Sequence, residues 1–240
     1  MTVTFFLGFL AITAAAVAAL AARYLPRRTA LVVLVGLPLW LLYVGVLSDF
    51  GVIRNTALRP PGAAFIFLPV FLFVFLFLVR SSAGARIALA LPLWVILGTQ
   101  SFRVGVELFL HQLWLNGLVP RMLTYESGNA DILIGATAPL AAWLSTKGRL
   151  GQRWALAWNI LGLLSLANVA LRALMTAPGR LNLIHAEVPN VAIGTFPFTY
   201  IAGFFAPLAL VLHVLALRAF RNRMARVSAP QMTQRSQTIR

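Results

Sequence analysis

Residues 100–114 read QSFRVGVELFLHQLW, a polar-studded stretch in a chain that is otherwise almost wholly apolar. Gln100, Arg103, Glu107, His111 and Trp114 are spaced 3, 4, 4 and 3 residues apart. At the helical period they share an arc of roughly 80° on one face. Four of the five are polar, and a polar stripe on an apolar helix must face something other than lipid. The stripe therefore predicts a helix together with an interior for it to face, a bundle of membrane-spanning helices.

Composition supports that class. The 240 residues are 60% hydrophobic and 10% charged, whereas soluble domains carry about 25% charged residues. Repeated apolar runs near the length of a membrane helix favour helices over a barrel, whose strands would be shorter and alternating. No hydrophilic segment is long enough for a second, soluble domain. Cysteine is absent, which excludes disulfides, iron–sulfur clusters and thiolate metal sites. The net charge of +15 would point to nucleic acid in a soluble protein. In this chain arginines flanking spans explain it, and no nucleic-acid partner is implied.

Working outward from the stripe, the pattern predicts an all-α polytopic transmembrane bundle of seven spans. They cover residues 3–22, 29–47, 63–79, a fourth from about Ile87 toward Pro120, 128–146, 154–175 and 195–217. As one helix the fourth would measure about 48 Å against roughly 30 Å of hydrocarbon, so it must tilt, project or break. No basic residue precedes the first span, and Arg23, Arg27 and Arg28 follow it. A cleaved signal peptide has the opposite polarity, so the span is expected to be retained. Residues 1–217 form the membrane domain, and 218–240 are a basic tail, expected to be disordered and to contact anionic lipid.

Seven spans put the termini on opposite sides. Fourteen basic residues then fall with the C-terminus and four (Arg54, Arg59, Arg121, Arg180) on the other side. Discounting Arg235 and Arg240, far from any span, leaves 12 against 4. The N-terminus is expected outside and the C-terminus in the cytoplasm. Asp49, Glu126, Asp131 and Glu187 then lie on or near the outer face, with His111 and His185, and Glu107 in the outer half of the fourth span.

Charges inside a bilayer are costly and mark pathways, sites or helix pairing. Arg103 and Glu107, at i and i+4, are expected to pair. Gln100, Arg103, Glu107, His111 and Asp131 form the candidate ligand or proton site, with Asp49, Glu126, His185 and Glu187 as outer-face accessories. Glu107 and His111 are also i, i+4, but no dense ligand motif accompanies them, so neither a metal site nor a cofactor is assigned. Arg172 is a possible partner for Glu107 across the bundle. His213 is placed near the cytoplasmic end, far from the stripe, which leaves no histidine pair at one depth for a haem. The only lysine, Lys147, falls in a predicted loop, which excludes a retinal Schiff base. There is no P-loop, dinucleotide fingerprint or serine-hydrolase elbow.

The segments QSFRVGVELFLHQLWLNGLVPRMLTYESGNADILIGATAP (100–139) and PNVAIGTFPF (189–198) resemble an uncharacterised family of bacterial multi-pass membrane proteins with no assigned activity. The resemblance runs over the last four spans. It implies a bacterial integral membrane protein of the plasma membrane and assigns no catalytic residue. Three functions are open to such a chain. The first is an intramembrane site that binds or translocates a small polar solute, a cation or a proton. The second is a non-catalytic subunit or scaffold with a membrane-protein partner. The third is an enzyme with an outer-face acid–base or metal site. The neighbours of Glu107 discriminate: a water-filled cavity lined by Glu107, His111 and Asp131 favours a site, and close packing against apolar side chains favours a scaffold.

Overall fold

A computed structural model describes residues 3–179 and 182–237, with side chains through Asn222. Arg180, counted above on the outer side, and the tail side chains beyond Asn222 lie outside the described residues, as does the expected tail–lipid contact. Every element among the described residues is helical. The helices are α1 (Val3–Tyr24), α2 (Arg27–Asp49), α3 (Ala64–Leu72), α4 (Ser82–Ala90), α5 (Leu93–Thr99), α6 (Phe102–Leu115), α7 (Asp131–Leu144), α8 (Gly148–Met175) and α9 (Ala206–Gln237). Phe73–Val79 continues α3 as a wider π-type turn, and Ile201–Phe205 leads into α9 in the same way.

Five stretches are long and apolar enough to cross a membrane: α1, α2, Leu93–Leu115, α8 and Ile201–Asn222. The expected third span differs in shape. Ala64–Val79 and Ser82–Ala90 make one apolar unit bent by 81°. Ser81 sets the bend, because it adopts an extended backbone and its Oγ accepts the Gly84 N–H at 3.0 Å as the cap of α4. Residues 82–86, expected in a loop, are therefore helical.

The fourth span also starts later than expected. Ile87–Ala90 belong to α4, and Pro92 intervenes before α5. Proline removes a backbone donor and disfavours helix for the residue before it, and Leu91 accordingly sits at φ −81°, ψ 128°. From Leu93 the span runs to Leu115 with a tight turn between α5 and α6. There the N–H groups of Gln100, Ser101, Arg103 and Val104 each bond the carbonyl three residues back. Of the three outcomes open to it the fourth span takes the break, at Pro92, and runs for 23 residues from Leu93 to Leu115. α7 has 14 residues, about 21 Å of rise, short of the hydrocarbon thickness.

Two apolar clusters form the core. One joins Val74, Leu78, Ile96, Leu97, Leu212 and Ala216; the other joins Phe6, Val44, Leu110, Leu123, Ile201 and Phe205, and Phe102 packs against both. α7 packs on α5, α6 and α8, while α9 packs on α4, α5 and α8. α1 and α2 are peripheral, with Phe5, Ile12, Val32, Val35 and Leu42 exposed. Apolar exposure of that extent suits lipid as the neighbour.

Two glycines set the interhelix distances at the stripe. A Cβ on Gly135 of α7 would stand 2.7 Å from the Val104 nitrogen of α6, and one on Gly162 of α8 would stand 2.6 Å from His213 Cε1 of α9. The packed bundle continues past Leu217: Ala219 and Phe220 are buried, and the buried Arg218 donates to the carbonyls of Leu78 and Ser81.

Candidate functional site

The stripe divides in two. Gln100, Arg103 and Glu107 are buried, at 1%, 2% and 1% exposure. His111 and Trp114 are only partly buried, with the His111 ring stacked on Tyr125 at 4.7 Å. The turn between α5 and α6 sets Gln100 slightly apart from the others, and its amide donates to the Ala209 carbonyl of α9 at 3.2 Å.

Arg103 does not pair with Glu107. Its Nη2 bonds Asp131 Oδ1 at the first turn of α7, and the Ser165 hydroxyl of α8 donates to the same oxygen. The helix N-terminus favours an anion at Asp131. Asn129 helps to place it, since Asn129 Oδ1 accepts the Asp131 backbone N–H at 3.0 Å. Both Nη atoms of Arg103 also reach the Gly162 carbonyl, at 3.3 and 3.4 Å. Arg103 Nε has no partner.

The other Arg103 contact overturns an expectation. His213 Nε2 lies 2.8 Å from Arg103 Nη1, so His213 belongs to the stripe's own network. It lies in the middle of the span Ile201–Asn222, which extends five residues beyond the end assumed from sequence. Guanidinium offers only donors. Nε2 must therefore accept, and Nδ1–H donates to Asn159 Oδ1 at 2.9 Å. The Asn159 amide returns a bond to the His213 carbonyl at 3.2 Å. Ser165–Asp131–Arg103–His213–Asn159 is thus one chain, buried except for the half-buried Ser165, tying α6, α7, α8 and α9. A charged pair satisfied on this many sides holds helices together, where an unpaired charge would push them apart.

Glu107 stands outside that chain. Asn129 Nδ2 donates to its Oε1 at 2.6 Å and to the Leu123 carbonyl at 2.9 Å, while Glu107 Oε2 has no partner. Arg172, proposed above to reach Glu107, instead bonds Asn168 Oδ1 and the carbonyls of Met122 and Ser127, pinning the α6–α7 loop. Glu107, Arg103 and Asp131, without the expected His111, together line a cavity of about 70 Å³ whose remaining wall is apolar, including Phe102, Leu166, Val169 and Phe205. A groove of about 90 Å³ between residues 53–63 and 190–194 shares Phe67, Ala173, Ile193 and Ala202 with it. The buried Asn190 also lines this groove, and its Oδ1 has no partner.

The accessory residues do not converge on Glu107. Glu126 pairs with Arg121 at 3.6 Å on the surface, Glu187 Oε1 accepts the Arg121 backbone N–H at 2.6 Å, and His185 and Asp49 are exposed. Among the described residues no group of three or more His, Asp or Glu is placed to share a metal ion. Sequence reasoning missed Asn129, Asn159, Ser165 and His213. A signal existed on α8, where Asn159, Gly162, Ser165, Asn168 and Arg172 recur every three or four residues, as on the polar side of a buried helix.

These features describe a helical bundle with five to six candidate spans and a buried charged cluster beside a cavity. The chain belongs to the family described as Domain of unknown function (DUF8737), whose model matches residues 60–221. That range contains every residue of the buried network and excludes α1 and α2. Comparison with curated proteins and with solved structures returned no match.

Proposed function

We propose that this chain is an integral membrane protein whose intramembrane site binds or translocates a small polar solute, a cation or a proton, with Glu107 as the binding group. The observation that carries this reading is Glu107 Oε2, which has no hydrogen-bond partner on a residue 1% exposed at a cavity wall. A buried carboxylate oxygen without a protein donor at a cavity wall is completed by a proton, a water, a cation or a ligand N–H entering the cavity. Arg103 is committed to Asp131 and His213 and does not complete it. Arg103 and Asp131 therefore position the helices around Glu107.

In the accompanying topology the chain crosses seven times. The bent unit Ala64–Val79 with Ser82–Ala90 counts as one crossing and the short α7 as another, with the N-terminus outside and the C-terminus cytoplasmic. Support comes from the uneven basic residues and from Arg218, which binds carbonyls at the Arg80 side of the bent unit as one cytoplasmic end requires. The groove beside the cavity then opens outward. The likeness of residues 100–139 and 189–198 to bacterial multi-pass proteins supports a plasma-membrane location.

The test is Glu107→Gln in purified protein reconstituted into vesicles. Glutamine keeps an oxygen for Asn129 and removes the charge. Infrared difference spectra on pH change or cation addition are expected to show a carboxyl band in the native protein that is missing in the variant. Proton or cation uptake should be lost while the variant stays folded in the membrane. A native spectrum without any Glu107 response, or unchanged uptake by the variant, overturns the reading.

A second reading has its own observation. The Ser165–Asp131–Arg103–His213–Asn159 chain joins four helices with no exposed member, which favours a scaffold that holds a membrane partner. Stable co-purification of a stoichiometric partner, lost with Arg103→Leu and unaffected by Glu107→Gln, would favour it over the first.

A further inference from the structure

We infer that the ligand of the Glu107 cavity is a small lipophilic ammonium ion, an amine carried on an apolar body; this rests on reading Glu107 as the binding group. The cavity wall contributes two carboxylates, Glu107 and Asp131, against one guanidinium, Arg103. Asp131 has its cation, since Arg103 and Ser165 both bond its Oδ1, whereas Glu107 has only the neutral Asn129 amide and no cationic partner. An anion would meet an excess of negative groups. A bare inorganic cation needs six or more oxygen ligands, or several retained waters, and among the described residues lining the cavity the carboxylate oxygens without a hydrogen bond are two, Glu107 Oε2 and Asp131 Oδ2.

The rest of the wall selects for apolar surface. Phe102, Val106, Leu166, Val169, Ile201 and Phe205 face the cavity and present no hydrogen-bonding side chain. Such a wall gives a strongly hydrated ion nothing in exchange for its lost water, whereas it rewards each methylene that leaves water. A pocket with one charged anchor and apolar sides takes a ligand of the same pattern. The ammonium donates to Glu107 Oε2, and its alkyl body lies along Val169 and Phe205 toward Ala202, where the outer groove adjoins.

The experiment uses the full chain in lipid nanodiscs and a series from methylammonium to hexylammonium, with the matching alcohols and with sodium and potassium chloride as comparators. Binding is read by calorimetry and by the Glu107 infrared band. Affinity is expected to rise about fourfold per methylene until the cavity is filled, and to exceed that of the matching alcohol. Glu107→Gln should abolish the preference for ammonium over alcohol, which also subtracts partition into lipid. Ala170→Leu, which fills the cavity without touching Glu107, should cut binding of the long members and spare methylammonium. Binding without chain-length dependence, or chain-length dependence that survives Glu107→Gln with its ammonium preference intact, overturns the inference. If inorganic cations or protons change the Glu107 band and alkylammonium ions do not, the ligand class is wrong and the proposed site stands. If no probe changes it, both fall.

Discussion

Replacing Arg103 with methionine removes the cation at the centre of the buried network while retaining a flexible apolar side chain of similar reach. Asp131, 6% exposed, is then left with Ser165 as its one side-chain donor. Breaking one side of a buried ion pair costs about 3–5 kcal/mol, because the remaining charge is uncompensated. His213 loses its donor as well, and neutral hydrogen bonds between membrane helices are worth about 0.6 kcal/mol on average. The orphaned carboxylate therefore dominates. For a chain of this length about 2–4 °C is lost per kcal/mol, so the variant should unfold about 6–20 °C below the native protein. Heating detergent-solubilised samples and measuring the folded fraction by size-exclusion chromatography gives that number. The companion change Arg103→Met with Asp131→Asn should recover most of the loss, since it removes the unpaired charge. A single variant within about 1 kcal/mol of native, or a double variant that equals the sum of the singles, would refute the argument.

Further outcomes follow from the same geometry. Asn159→Leu removes only a neutral partner of His213, so its cost should stay near 1 kcal/mol, clearly below that of Arg103→Met in the same assay. Gly162→Val would drive a side chain into His213 Cε1, and overpacking of this kind should cost about 1–3 kcal/mol in thermal unfolding. The native chain has no cysteine, so single cysteines report topology cleanly. With a membrane-impermeant maleimide on intact cells, Arg54→Cys and Arg121→Cys should label and Arg86→Cys and Arg149→Cys should not; the reverse pattern would invert the proposed orientation.

Much of the architecture was legible because apolar length and helical period are local properties. The stripe at Gln100, Arg103 and Glu107 lies inside the bundle as its spacing implied, and Asp131 occupies the first turn of its helix. What sequence could not supply was partner choice. Arg103 and Glu107 are neighbours along α6, yet Arg103 turns to Asp131 because α7 begins at its level and Gly135 lets the two backbones approach. His213 is far from the stripe only if its span ends at Leu217, whereas packing continues through Phe220 and His213 meets Arg103. Helix breaks are not legible for a related reason: Pro92 and Ser81 are single residues whose effect depends on capping and on what the freed carbonyls meet next.

Those freed carbonyls give α9 a second duty. The helix carries His213, which touches the charged network, and Arg218, which holds the carbonyls of Leu78 and Ser81 at the 81° bend. The two attachment points are five residues apart, about 7.5 Å along one rigid rod. A tilt or slide of α9 cannot release one without straining the other. The charged centre and the bend thereby share one helix as their common support.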